Sequence, residues 1–162
     1  MDRLGVMTYQ ASPLNESLRT RWCGSVLVNH LMPAVAAAHL ATSNFGFREL
    51  LDVDARLDSG LAGGATAAAS RTAGRIVAMD FRPPAAERAL RRYFAAVESG
   101  ESSGHLATVL SARAAVFHIP PQMAVSALVF LEMRAAPVAE FWTCVEDCLR
   151  SIPPGAHLLR AA

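Results

Sequence analysis

The chain has 162 residues, 52% of them hydrophobic and 18% charged, which excludes a disordered polypeptide and allows one domain with a sizeable core. The formal net charge of +1 gives no electrostatic case for nucleic acid or an anionic membrane surface. All fifteen basic residues are Arg and Ala is abundant, a bias that reads as base composition rather than selection for anion-binding guanidinium groups.

Met1 to Ala11 carries no periodic signal and reads as a poorly ordered lead-in. Ser12-Pro13 opens a helix, with Ser as cap, Pro in the first turn and Glu16 close behind. That helix is expected to reach Leu31, with Leu18, Trp22, Val26 and Leu27 inward, and to break or kink at Pro33. An Ala-rich helix from Ala34 to Thr42 follows, stopped by Asn44 and Gly46. Phe47 to Leu57 makes a short third helix, ended by Asp58-Ser59-Gly60. Ala65 to Met79 and Ala85 to Val97 are the next two, separated by Arg82-Pro83-Pro84. The stretch Glu98 to Gly104 reads as a solvent loop.

Next comes the most apolar part of the chain, a helical hairpin over Ser103 to Ala136 that turns at Ile119-Pro120-Pro121. Leu106, Val109, Leu110, Val116 and Phe117 share one face of its first helix. Its second helix, Gln122 to Arg134, is apolar nearly all round and belongs in a core or an interface. Val138 to Leu149 is a last helix, and Pro153-Pro154-Gly155 leads into a tail. The expected architecture is therefore all-α: one bundle of about seven or eight helices around the apolar hairpin, spanning 12–152, with a lead-in at 1–11 and a tail at 153–162.

Cys23, Cys144 and Cys148 form an odd set without framework spacing, which fits a reducing cytoplasm. The N-terminal residues contain no apolar core of signal-peptide length. The longest apolar runs are interrupted by Asn29, His30 and Pro33, or stop at Glu132, short of the roughly 20 residues of a spanning helix. No membrane partner is expected.

Chemistry-bearing clusters are sparse. Cys144 and Cys148 share a helical face, but no further ligand completes a soft-metal set, and two small buried or half-buried thiols is the plainer reading. The five histidines fall on separate elements, and His105 at a helix start reads as a surface residue. Glu49, Asp52, Asp54 and Asp58 read as a solvated acidic face. No phosphate loop and no nucleophile elbow is present. No catalytic residue, metal or cofactor is expected. An apolar pocket lined by Met123, Phe130, Met133, Phe141 and Trp142 is the alternative, in which the domain binds a small apolar ligand.

Arg71 and Arg75 lie one turn apart on the Ala-rich helix, and between them Gly74 lets another backbone approach closely. They either reach to solvent along their stems or face a protein partner, where Arg is enriched. Arg113 and Arg134, set in apolar runs, read as snorkelling to the surface.

Several stretches resemble the urease accessory protein UreF family. They are Leu18 to His39, Asp52 to Leu57 (DVDARL), Ala69 to Arg75 (ASRTAGR) and Gly104 to Leu131, which opens GHLATV. Ser70, Gly74, Arg75, Gly104, His105 and Pro121 carry most of the likeness. The P-x-G-x-F/Y-x-x-S-x-G-L-E opening of the family has no counterpart here, and RAAPVAEFWTC stands where an R-L-G-x-x-G-Q-like stretch is usual. The resemblance implies an all-helical, non-catalytic, dimer-forming scaffold. It would bridge another urease accessory protein to a nickel-delivering GTPase during nickel insertion into urease. The candidate partner-contact residues are Arg71, Arg75 and His105.

Overall fold

The computed structural model describes residues 22–61 and 65–133. Every regular element among them is helical. A π-helical segment, Trp22–Leu31, leads into α1 (Met32–Ser43), followed by α2 (Phe47–Gly60), α3 (Ala65–Met79), α4 (Arg88–Ser99), α5 (Leu106–Val116) and α6 (Pro121–Met133). The all-α expectation holds, with no strand among the described residues. The expected helix Val138 to Leu149, the start of the first helix, the lead-in and the tail lie outside the described residues.

Pro33 does not break the chain's helical course. The π-helical segment ends at Leu31, and Pro33 sits in the first turn of α1, where its fixed φ is compatible with the helix that follows. Leu31 itself has right-handed helical dihedrals, so the two helices run on without a break. As a result Gly24–Ser43 is one stretch of 20 residues with a mean hydropathy of 1.2, long and apolar enough by composition to cross a membrane, contrary to the sequence expectation. In the fold its apolar face is covered by protein instead: Leu27, Leu31, Met32, Val35 and Ala38 are buried in the common core.

Helix α5 is the axis of the bundle. It packs on α1, α3 and α6, and the buried residues form one cluster that joins all the described helices. The large-residue stripe expected on α5 is only part of its buried surface. Ala107, Thr108, Ser111, Ala112, Ala114 and Ala115 are buried as well, whereas Phe117 is exposed. Small side chains let neighbouring helices approach from several sides, a feature that the spacing of Leu and Val does not report. Ser111 satisfies its hydroxyl inside this packing by donating to the Val35 carbonyl of α1 at 2.6 Å.

Two helices end in the same left-handed cap. At the end of α1, Gly46 N–H donates to Ala41 O and Phe45 N–H to Thr42 O; Phe45, not Gly46, takes the positive φ of 56°. At the end of α5, Ile119 N–H donates to Ala114 O and His118 N–H to Ala115 O, with His118 at φ 53°. His39 of α1 bonds the Ile119 carbonyl through Nε2 at 3.0 Å, so both caps lie at one end of the bundle. Phe81, just past α3, packs its ring on Phe117 and Phe94 and lies under the Arg113 guanidinium. Arg113 also donates to the Val77 carbonyl, so it is an internal tie rather than a snorkelling side chain.

Helix α4 starts at Arg88, three residues later than expected, because Glu87 N–H turns back to the Pro84 carbonyl first. It buries Leu90, Tyr93, Phe94 and Val97 and keeps Arg88, Arg91 and Arg92 outside, as its pattern requires. Helix α6 is half-covered: Ala124, Val125, Leu128 and Val129 are buried, while Met123 and Ala127 are exposed.

The closest approach in the fold is at Gly74. A Cβ there would lie 1.9 Å from the Gly104 carbonyl oxygen and 2.7 Å from the Leu106 nitrogen, both backbone atoms that cannot swing aside. Gly74→Ala therefore pushes α3 off the start of α5. The helix-propensity gain of about 1 kcal/mol is outweighed by overpacking, and the expected net loss is about 1–3 kcal/mol. Urea denaturation checks it; a variant as stable as the wild type would show that this contact does not seat α3.

Candidate functional site

The site is a buried polar clasp where α2, α3 and α4 meet the start of α5. Asp54 lies on the apolar stripe of α2 with Leu50, Val53 and Leu57, and is only 1% exposed. Its carboxylate takes four hydrogen bonds. The Tyr93 phenol donates to Oδ2 at 2.8 Å, the Ser102 hydroxyl to Oδ2 at 2.6 Å, Gly104 N–H to Oδ2 at 2.8 Å and His105 N–H to Oδ1 at 3.1 Å. Gly104 has the left-handed φ of 64° that turns these two amides onto the carboxylate, and a Cβ at that position would lie 2.4 Å from Val97 Cγ1.

The second half of the clasp is one turn further along α2. Asp58 accepts from Arg71 Nη1 at 2.7 Å, from the Ser103 hydroxyl, and from His105 Nε2 at 3.1 Å. His105 is fully buried. Its Nδ1 lies 3.1 Å from Ser70 Oγ, and the same Ser70 oxygen accepts the Leu106 N–H at 3.2 Å. With Nε2–H pointing at Asp58, Nδ1 accepts the Ser70 proton and every polar atom of the ring is paired. The amides at the start of α5 are thus satisfied by side chains from α2 and α3, since His105 at the N-cap makes no capping bond of its own.

Two groups in the clasp have displaced proton affinities. Partial burial pushes the Asp58 carboxyl up, but the hydrogen bonds from Ser103, Arg71 and His105, with the attraction of His105, outweigh it and hold the group below its ordinary value of 3.8. Burial pushes the Tyr93 phenol well above its ordinary value, and the charge of Asp54 and the hydrogen bond to it push the same way. Thr108 eases that shift slightly, although its buried Oγ1 makes no hydrogen bond of good geometry.

The triple Ser70, His105, Asp58 has the atom order of a hydrolytic relay, but the hydroxyl is engaged by the Leu106 amide and the ring is sealed from solvent. The geometry positions backbone rather than presenting a nucleophile. Among the described residues no group of three or more His, Cys, Asp or Glu could hold a metal ion.

A model of the UreF family matches residues 20–137, a span that contains all the described helices. The chain belongs to the UreF family. UreF proteins are urease accessory proteins, and the clasp lies inside the matched span. No curated protein and no solved structure matches the chain.

Three sequence expectations change in this UreF domain. His105 is internal and meets solvent nowhere, contrary to its reading as a surface residue; as placed, it touches Asp58 and Ser70 rather than a partner. The acidic face of α2 divides: Glu49 and Asp52 are exposed, whereas Asp54 and Asp58 build the clasp. The supposed solvent loop before α5 supplies Ser102, Ser103 and Gly104 to it. Arg71 is half-exposed and ion-paired to Asp58; Arg75, one turn on, is exposed. Met123 of the alternative apolar pocket is 59% exposed on the surface. The side chains of Phe130 and Met133, with Phe141, Trp142, Cys144 and Cys148, lie outside what is described.

A usable signal for Asp54 was present in the sequence. Leu50, Val53, Asp54 and Leu57 follow the spacing of one buried helical face, so the carboxylate sits where an apolar residue belongs.

Asp54→Ala leaves two hydroxyls and two amides without an acceptor, and is expected to cost about 3 kcal/mol or more in urea unfolding. Tyr93→Phe removes one donor and leaves the other three bonds, so its cost should be about 1 kcal/mol. Equal costs would show that Asp54 is not the hub.

Asp58 makes a pH-dependent contribution. Because its folded value is depressed, its stabilisation is fully present above 3.8 and is lost as pH falls through the folded value below that. Asp58→Asn should melt below wild type at pH 7, and the gap should close as the solution is acidified below 3.8. A gap that stays constant through that range would contradict the assignment.

Proposed function

We propose that this chain is a non-catalytic scaffold of the urease maturation machinery. It acts through contacts with other urease accessory proteins, including a nickel-delivering GTPase, during nickel insertion into urease in the cytoplasm. Family membership over residues 20–137 is the observation that carries this reading. Arg75 is the leading contact residue: it is exposed, and it follows Gly74 on a helix seated against the clasp. Arg71 is a second contact candidate whose guanidinium a partner carboxylate would share with Asp58. His105 supports the surface from beneath through Ser70 and Asp58 rather than by direct touch.

A second surface supports self-association as a homodimer. Leu40, Phe45, Met79, Phe117, Ile119 and Met123 are all exposed large apolar residues. They belong to the ends of α1, α3 and α5 and the start of α6, elements drawn to one end of the bundle by the His39–Ile119 bond and the Phe81–Phe117 contact. Exposed apolar side chains gathered in this way mark an interaction surface more often than chance.

Charge reversal at Arg75 separates binding from folding. Arg75→Glu should weaken pull-down of the accessory partners more than tenfold, about 1.4 kcal/mol, with an unchanged melting temperature. Arg71→Glu is the poorer probe, because it would set a second carboxylate against Asp58 and destabilise the clasp. Undiminished capture by a folded Arg75→Glu protein would remove this surface from the proposal.

A further inference from the structure

Away from the clasp, a cavity of about 140 Å³ opens between the π-helical segment, α1 and α2. Its floor is apolar, built mainly by Ala37, Val53 and Leu57, and its rim carries Asn29, His30 and Arg56. We infer that this cleft takes one leucine-sized side chain of an acidic peptide, with a flanking carboxylate held by Arg56.

Size and charge both lead there. A cavity of about 150 Å³ accommodates benzene, so this one suits a single branched aliphatic side chain and is too small for a drug-sized ligand. Arg56 is an exposed guanidinium that makes no ion pair or hydrogen bond with any described residue; Asp52, one turn earlier on the same helix, does not pair with it. An unpaired guanidinium beside an apolar socket favours an apolar anchor with a neighbouring carboxylate, which the fork of Arg can clamp through two hydrogen bonds.

The rim is shaped for this. His30 lies against the last residue of α2, where a Cβ on Gly60 would come within 2.6 Å of its Nδ1, so glycine at that position is what lets the imidazole settle beside the cleft. Asn29 spends its amide nitrogen on the Gly24 carbonyl at 3.4 Å, which leaves its side-chain oxygen as an acceptor for a peptide N–H. Both residues come from the π-helical segment.

The test uses the full chain, isotope-labelled for NMR, with three blocked tripeptides as probes: acetyl-Glu-Leu-Glu-amide, acetyl-Gln-Leu-Gln-amide and acetyl-Glu-Gly-Glu-amide. The first should give saturable shifts at Asn29, His30 and Arg56, and each of the others should bind at least fivefold more weakly. Arg56→Gln should abolish the preference for Glu over Gln while keeping that for Leu over Gly. Ala37→Leu, which fills the cavity, should do the reverse. The inference is overturned if no probe saturates, if the three bind alike, if the shifts map elsewhere, or if folded Arg56→Gln keeps its preference for Glu. Arg75 does not line this cleft, so the outcome is separate from that of the partner-capture experiment.

Discussion

The fold depends on one buried anion. A carboxylate without partners in a protein interior costs several kcal/mol, yet Asp54 lies on the apolar face of α2 among Leu50, Val53 and Leu57. Four donors make the position tolerable, and two of them are backbone amides at the entry to α5. The same bonds that satisfy Asp54 therefore fix where the central helix begins. Since α5 packs on α1, α3 and α6, an error in its starting point would propagate through the bundle.

The neighbouring turn extends the device toward the surface. Asp58 joins His105, Ser103 and Arg71, and Ser70 joins His105 to the first amide of α5. Gly74 then brings α3 against the Gly104–Leu106 backbone, closer than any side chain would allow. The exposed Arg75 follows immediately on this seated stretch of helix. A scaffold protein needs contact residues on elements that do not shift, because ordering them at the moment of binding would subtract from affinity. In the proposed scaffold role, the buried clasp would supply that rigidity to the helix that carries Arg71 and Arg75.

Much of this architecture was legible from local pattern. The end of α3 at Met79 coincides with the expected one because the Arg-Pro-Pro stretch after it is a local stop signal. The turn between α5 and α6 falls near Pro120-Pro121 for the same reason, with Pro121 opening the new helix. The close approach at Gly74 was also readable, since a glycine between Arg71 and Arg75 in a helical run has few other uses. The left-handed caps at Phe45 and His118 were not. Phe does not favour positive φ, and His, though it tolerates that region better than most residues, does not announce it, so both conformations are held by the cap hydrogen bonds and the surrounding packing.

The sequence by itself determined the helical class, most helix limits, the apolar central hairpin and the kinship to UreF, because those rest on spacing, composition and residue order along the chain. Only the tertiary structure decided which polar residues meet. Asp54 and Gly104 are 50 positions apart, and Ser70 and His105 are 35 apart, so no local periodicity links them. Their pairing follows from how four helices pack, and that packing turned an apparent acidic surface, a solvent loop and a surface histidine into one closed hydrogen-bonded core.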